Sequence, residues 1–274
     1  MAKVVDAAHE YDLSDPAFKW SQADQQLMDN VEKRLGDVTG CAPHAEEMPM
    51  LIMHGRRPEE DDDATKKSSK SRTPATTERF PSKLHVDVNG GLPRRFASAL
   101  LYLSTPQSGG QTVFPLAIAA AAANNARAST LSSSSAEQQQ EQLRTAALAA
   151  SRRLLKARVY HTDRSKRPEA RELEALTRRA PTVNTPPIDA GYSATEDGGV
   201  AIRARAGNLL VFWTRESSGG IDARSWHAGE RLASDAVDDK WLLRKFKEVP
   251  KATFDEPKAL AAFVERSRRR PGGE

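Results

Sequence analysis

A histidine and an aspartate separated by one residue are the first side chains whose types and spacing could do chemistry. They are His85 and Asp87, in the short apolar run 83–89. On an extended strand, residues i and i+2 point to the same face, so the imidazole and the carboxylate can converge on one point. Two imidazoles and one carboxylate form the facial site that holds non-haem Fe(II) with open positions for oxygen chemistry. The pair supplies two of these three ligands, although a lone His-x-Asp is also common on protein surfaces.

Two more residues, which occur much later in the chain, could complete such a site. His227 follows Trp226, and Lys240 opens an apolar run thirteen residues after that histidine. A third ligand leaves three positions of an octahedron free, and a lysine can bind the far carboxylate of an acidic co-substrate that chelates the metal. The other interpretations are a structural histidine on a loop and an exposed lysine. Arg244 and Arg231 are the substitutes for the lysine.

The elements that must position these residues are short strands between Gly- and Pro-rich turns. Apolar runs of this kind, separated by tight turns, are typical of an antiparallel sheet in a sandwich or barrel. Helical spacing of apolar residues over 22–37 predicts an amphipathic helix, with Ser21 as its N-cap and Gly36 as its end. The predicted strands are 48–53, 84–88, 96–104, 111–115, 208–213 and 240–246, and a second helix is predicted at 257–266.

Two polar, low-complexity segments interrupt this pattern. Residues 56–79 contain an acidic block followed by a basic, serine-rich block, which is typical of a solvated loop and not of a metal site. Residues 116–199 are rich in alanine, serine and glutamine, and we expect an insertion with one or two surface helices and little core of its own. We therefore predict one domain over 1–250 with these two insertions, followed by a basic C-terminal tail at 251–274.

Composition excludes several classes of function. The chain has 274 residues, a net charge of +4 and only 6% aromatic residues. Its basic residues are scattered, so no nucleic-acid-binding module is evident. The single cysteine, Cys41, excludes an internal disulfide and a cysteine-based zinc cluster. No signal peptide or membrane span is recognisable, and we expect a soluble, cytosolic protein. The composition leaves its oligomeric state open.

Six stretches, in order, resemble the catalytic domain of the prolyl 4-hydroxylase family within the Fe(II)- and 2-oxoglutarate-dependent dioxygenases. They fall within residues 80–115 and 203–247. A weaker similarity to the same family lies upstream, at Val31, Arg34, Thr39, Gly40 and Glu47. The six are His85-Val-Asp87, Arg95 with Ala99-Leu-Leu-Tyr-Leu103, Gly109-Gly-Gln-Thr-Val-Phe-Pro115, Ala206-Gly-Asn-Leu-Leu-Val-Phe212, Trp226-His227 and Asp239-Lys-Trp241.

The resemblance implies a mainly β fold with flanking helices (α+β), built on a double-stranded β-helix or jelly roll. It implies that Fe(II) is held by His85, Asp87 and His227, and that Lys240 pairs with the distal carboxylate of 2-oxoglutarate. Hydroxyls of Tyr102 and Thr112 would assist there. The implied activity is that of an oxidoreductase: hydroxylation of a peptidyl-proline substrate, with release of succinate and CO2 and with ascorbate as reductant.

Several alternatives stay open. Tyr102 can equally be interpreted as a core residue, and Thr112 can be interpreted as an ordinary strand threonine. His54 stands where the family has a co-substrate-binding tyrosine, so it either replaces that donor or is displaced. The family's helical lead-in is not recognisable, and the spacing before Lys240 is longer than usual.

The function has rivals as well. The same chemistry could act on another protein side chain, a free amino acid or a nucleobase, and the chain could be a catalytically inactive, metal-binding interaction module. Trp226 and Trp241 are interpreted as packing residues and Asp222 as a turn residue. His9, His44 and His161 receive no role.

Overall fold

The computed structural model describes residues 3–5, 8–55, 84–117, 135–162, 165–178, 192–194, 199–233 and 236–269. The predicted insertion 56–79 lies outside these ranges. The strands are β1 (Lys3–Val5), β2 (Ala8–Asp12), β3 (Leu51–Gly55), β4 (Arg95–Tyr102), β5 (Thr112–Phe114), β6 (Tyr192–Ala194), β7 (Val200–Ile202), β8 (Leu209–Trp213), β9 (Ala228–Gly229) and β10 (Lys240–Glu248). The helices are α1 (Gln22–Thr39), α2 (Ser135–Lys156), α3 (Pro168–Arg178), α4 (Lys251–Phe254) and α5 (Pro257–Arg268), with a 3-10 turn at Ala223–Ser225.

The strands form two antiparallel sheets. A six-stranded sheet has the order β1-β2-β3-β10-β4-β8, and a four-stranded sheet has the order β6-β7-β5-β9. Side chains from the two sheets meet: the Phe114 ring of β5 packs edge-on against Phe212 of β8, with ring centroids 4.9 Å apart. Antiparallel sheets with flanking helices confirm the predicted α+β class at this level. The jelly-roll arrangement remains a prediction.

The strand register assigns each residue of the larger sheet to one of two faces. Leu242 of β10 lies opposite Tyr102 of β4, and Arg244 lies opposite Leu100. Because side chains alternate along a strand, Ser98, Leu100 and Tyr102 share the face that meets the smaller sheet. We call this the inner face. The outer face packs on α1 through a cluster that includes Ala99, Ile52 and Leu243.

Helix α1 begins where the sequence predicts and ends later. The Ser21 side chain accepts a hydrogen bond from the backbone of Asp24, and the Asp24 carboxylate accepts one from the backbone of Ser21, as in a capping box. The end predicted at Gly36 is wrong, because the left-handed residue that ends the helix is Gly40, at φ 65°. A side chain on Gly36 would press on the Cys41 carbonyl and the Pro43 ring at 3.1 Å, so close packing accounts for that glycine.

The described helices of the predicted insertion 116–199 contribute to the core. Helices α2 and α3 bury Ala147, Leu154, Ala170 and Leu173 in one cluster with residues of the sheet. The two predicted helices are present, but the expectation that they lie on the surface is wrong, because one side of each is buried against the sheet. Their apolar residues are few, but they have a complementary surface in the smaller sheet.

The C-terminal region is also packed. Helix α5 buries Leu260, Phe263 and Val264 against Phe96 at the start of β4, with the Phe96 and Phe263 rings 5.0 Å apart. This helix lies within the predicted basic tail 251–274. In the described part of the chain, no helix combines the length and apolar character that a membrane crossing requires.

Candidate metal centre

Backbone pairing brings the two histidines together. His85 and His227 exchange both of their backbone hydrogen bonds, at N···O distances of 3.0 and 2.9 Å. This reciprocal pair is an isolated bridge, so the predicted strand 84–88 is a pairing segment and not part of a regular ladder. Directly opposite residues in such a pair carry their side chains on the same side.

The side chains of His85, Asp87 and His227 converge from this pairing. His85 Nε2 lies 3.7 Å from Asp87 Oδ1, and His227 Nε2 lies 3.7 Å from Asp87 Oδ2. One ligand atom from each residue lies within 4.8 Å of the others. Asp87 and His227 are buried, whereas His85 is partly exposed, so the site is most open on the His85 side.

Neighbouring groups hold the aspartate and the second histidine in place. The Ser98 hydroxyl on β4 donates a 2.6 Å hydrogen bond to Asp87 Oδ2, and the Arg95 guanidinium donates to the Asp87 carbonyl at 3.0 Å. His227 Nδ1 lies 2.9 Å from the Ser225 carbonyl. A carbonyl accepts only from an N–H, so this contact requires a hydrogen on Nδ1 and turns Nε2, the nitrogen that a metal would bind, toward Asp87.

The surroundings of Asp87 favour the ionised carboxylate. Burial raises the pKa of this carboxyl group, but the His227 and His85 imidazoles, the Ser98 hydroxyl and the Arg244 guanidinium together outweigh it, and the pKa lies below its ordinary value. A bound dication would act in the same direction.

This donor set fits a divalent metal. Bonds of about 2.1 Å place neighbouring ligand atoms about 3 Å apart, so the observed 3.7 Å contacts need only a small contraction. Two imidazoles and one carboxylate, with one open side, are the donors of the facial site of non-haem Fe(II). The three ligands predicted from the sequence are therefore assembled in a geometry that can hold the ion.

A second polar group occupies the inner face beside the three ligands. The Tyr102 hydroxyl and the Thr112 hydroxyl are 2.9 Å apart, and Lys240 Nζ lies 5.6 Å from the centre of the Tyr102 ring. Thr112 and Phe114 share one face of β5, and the Phe114 ring stacks on His227 with centroids 5.4 Å apart. Thr112, which carries one hydroxyl of the pair, is therefore one two-residue step, about 7 Å, along β5 from the residue whose ring stacks on His227.

Burial alters the protonation of this group. Desolvation lowers the pKa of Lys240 to about 8, although the carboxylate of Glu230 opposes the shift. Burial raises the pKa of Tyr102 to about 12, so its phenol is neutral and can donate a hydrogen bond. Of the two substitutes for Lys240, Arg244 is ion-paired with Glu10 at 3.0 Å. Lys240 is the cation grouped with the two hydroxyls.

His54 cannot replace the expected tyrosine. In the ladder it lies opposite Trp241, while Lys240 lies opposite Gly55, so His54 and Lys240 occupy opposite faces of the sheet. The His54 ring stacks on Trp241 at 3.8 Å between centroids, and its Nε2 lies 2.8 Å from Asp239 Oδ2. The hypothesis that His54 donates to a co-substrate beside Lys240 is wrong.

Two other residues take the structural roles predicted from the sequence, and the neighbours of a second cluster argue against a cation there. Trp226 is fully buried in the core, and the Asp222 side chain accepts a hydrogen bond from the Arg224 backbone at the start of the 3-10 turn. Cys41, His44 and Glu47 also form a compact cluster. The Glu47 carboxylate there is ion-paired with the buried Lys247 ammonium at 2.7 Å, which opposes a cation at that position.

Two residues of the centre were missed. Ser98 is one of many serines, and nothing in its spacing relates it to Asp87. His161 belongs to the inserted segment, yet its ring stacks on His85 with centroids 5.3 Å apart and an interplanar angle of 10°. No spacing rule relates it to the ligands, so only the tertiary structure could identify it.

No protein-family model matches the chain, and no curated protein matches it. Among solved structures, the 2OG complex of the viral collagen prolyl hydroxylase vCPH from Paramecium bursaria Chlorella virus-1 aligns with a TM-score of 0.37 and 10% identity. The alignment covers 87% of this chain and 77% of that protein.

Proposed function

We propose that the protein is an Fe(II)- and 2-oxoglutarate-dependent dioxygenase that hydroxylates a prolyl residue of a peptide or protein. His85, Asp87 and His227 would hold the iron, and Lys240 would bind the far carboxylate of 2-oxoglutarate. The observation that carries the proposal is a two-histidine, one-carboxylate centre, whose aspartate is bound by Ser98 on the inner face, together with a Lys-Tyr-Thr group whose Tyr102 lies on that same face. When bound, iron and 2-oxoglutarate supply the oxidation, in which 2-oxoglutarate yields succinate and CO2.

The size of the site supports a short dicarboxylate. Thr112, whose hydroxyl pairs with that of Tyr102, is about 7 Å along β5 from Phe114, whose ring stacks on His227. In an extended five-carbon diacid, each bond of about 1.5 Å advances by roughly 1.25 Å, so the terminal carbons are about 5 Å apart. One end could reach the metal while the other meets the Lys240 ammonium and the two hydroxyls.

The protein's own groups would perform binding and orientation. The Ser98 hydroxyl keeps Asp87 ionised and aimed, and the Ser225 carbonyl holds the tautomer of His227. The neutral Tyr102 phenol and the Thr112 hydroxyl would hydrogen-bond a carboxylate oxygen beside Lys240. The apolar rings of Phe114 and Phe212 pack against His227 and keep water from that side of the centre.

Turnover of 2-oxoglutarate tests the reaction. Purified protein with Fe(II) and ascorbate should convert 2-oxoglutarate into succinate, and His227→Ala should abolish conversion because it removes a ligand. His44→Ala, which removes a histidine outside the centre, should retain it. Wild-type protein that binds iron and 2-oxoglutarate without any turnover would instead support the inactive interaction module.

The prolyl target and the use of ascorbate rest on the sequence resemblance, and they need their own test. Proline-rich peptides incubated with the loaded protein should gain one oxygen atom, located on proline by fragment mass spectrometry. Matched peptides with alanine in place of proline should stay unmodified. Oxygen gained by the alanine peptides, or by a free amino acid or nucleobase alone, would assign the chemistry to another substrate.

A further inference from the structure

We propose that His161, a residue of the inserted segment, is a positioning residue that holds the imidazole of His85 in the orientation needed for metal binding. The inference rests on the metal centre of the proposed function. It adds that this centre is incomplete without a residue from 116–199.

The backbone places His161 directly beside His85. Val86 N donates to the Tyr160 carbonyl at 3.1 Å, and Thr162 N donates to the Leu84 carbonyl at 2.9 Å. These bonds flank the facing pair His85 and His161, which is the arrangement in which opposed side chains approach most closely. His227 pairs with the other edge of His85, so three histidines stand in a row on one face of a three-segment ribbon.

Each metal ligand has a neighbour that orients it. Asp87 is held by the Ser98 hydroxyl, and His227 by the Ser225 carbonyl. The ring of His85 lies against the His161 ring at 5.3 Å and 10°, on the side away from His227. His85 is the most exposed of the three ligands, and the stacked ring beside it restricts the rotation of its imidazole.

The end of helix α2 directs the chain so that His161 lies beside His85. Helix α2 ends at a left-handed Arg158, with φ 57°, where Arg158 N donates to the Leu155 carbonyl and Val159 N to the Leu154 carbonyl. This is the Schellman arrangement, with an arginine where glycine is usual. It turns the chain sharply into 159–162, and Val159 and Tyr160 then pack against the core below the site.

Metal affinity measured with Co(II) alone tests this role, since it needs no substrate and no turnover. Ring stacking of this kind contributes about 0.5–1.5 kcal/mol, so His161→Ala should weaken Co(II) binding about 2- to 12-fold and alter its visible absorption spectrum. His161→Phe keeps a ring without ring nitrogens, and it should restore affinity and spectrum to near wild type. His44→Ala serves as the control for loss of an unrelated histidine.

The outcomes separate this inference from the proposed function. Wild-type Co(II) affinity and spectrum in His161→Ala would overturn the positioning role while leaving the dioxygenase proposal intact. Binding in His161→Phe as weak as in His161→Ala would also overturn it, because a ring nitrogen and not the stacked ring would then be responsible. If His161→Ala fails to fold, as judged by circular dichroism, His161→Leu, which keeps side-chain bulk without a ring, replaces it in the comparison with His161→Phe and wild type. If His161→Phe restores the Co(II) binding that His161→Ala loses, but wild-type protein does not turn over 2-oxoglutarate, the positioning role is supported and the dioxygenase proposal is contradicted.

Discussion

Removal of one buried hydroxyl should weaken metal binding strongly. In Ser98→Ala, Asp87 loses the 2.6 Å hydrogen bond that its Oδ2 accepts, and nothing in the new methyl group can replace the donor. Hydrogen bonds to charged groups contribute about 1.5–3 kcal/mol, which corresponds to about a 10- to 150-fold change in an equilibrium constant. Loss of a group that orients a metal ligand typically costs about 10- to 100-fold in affinity. We therefore expect Co(II) affinity to fall about 10- to 100-fold.

The measurement is calorimetric titration of Co(II) into wild type, Ser98→Ala and a matched control. Ser151→Ala suits the control, because Ser151 is also fully buried and also donates to an oxygen, the Leu148 carbonyl of α2. A dissociation constant for Ser98→Ala within twofold of wild type would refute the reasoning. Equal weakening in Ser151→Ala would show that general destabilisation, and not the orientation of Asp87, causes the loss.

Three further results are expected. Because the pKa of Lys240 is about 8, its ammonium is present below that pH and lost above it, so 2-oxoglutarate should bind Co(II)-loaded protein more weakly as pH rises through 8; Lys240→Arg should flatten the profile, and a flat wild-type profile would contradict the anchor. Leu154→Ala should lower the free energy of unfolding by about 2–5 kcal/mol in chemical denaturation, whereas Leu143→Ala, at an exposed position, should have little effect; equal effects would contradict the packing of α2. Burial raises the pKa of Cys41 to about 11, so iodoacetamide at neutral pH should label this thiol only after unfolding; rapid labelling of native protein would contradict its burial.

Local patterns in the sequence predict much of this structure. Apolar runs between Gly- and Pro-rich turns indicate strands close to β4, β5, β8 and β10, and helical spacing with a capping serine indicates α1. These features depend on neighbours in the chain, so they can be predicted without knowledge of the tertiary structure. The convergence of His85, Asp87 and His227 could be anticipated only because several motifs occur in the order known from one family.

Features that depend on partners far along the chain were missed or misread. The alanine-rich helices α2 and α3 look too weakly apolar to belong to a core, and they become buried because the smaller sheet offers them a surface. Of the two alternatives for His54, the donor role fails because neighbouring residues on a strand point to opposite faces, and His54 lies on the face opposite Lys240. Gly36 resembles a helix end, but its small size serves close packing beside Cys41.

The reciprocal backbone pair between His85 and His227 has a consequence for the order of events in folding. The two residues are more than a hundred positions apart, so their pairing closes a very long loop. Contacts of such long range are expected to form after the local strands and helices, so the metal centre would be absent from the folding transition state. A bound divalent ion should therefore leave the folding rate unchanged and slow the unfolding rate, because it stabilises the folded chain and not the transition state.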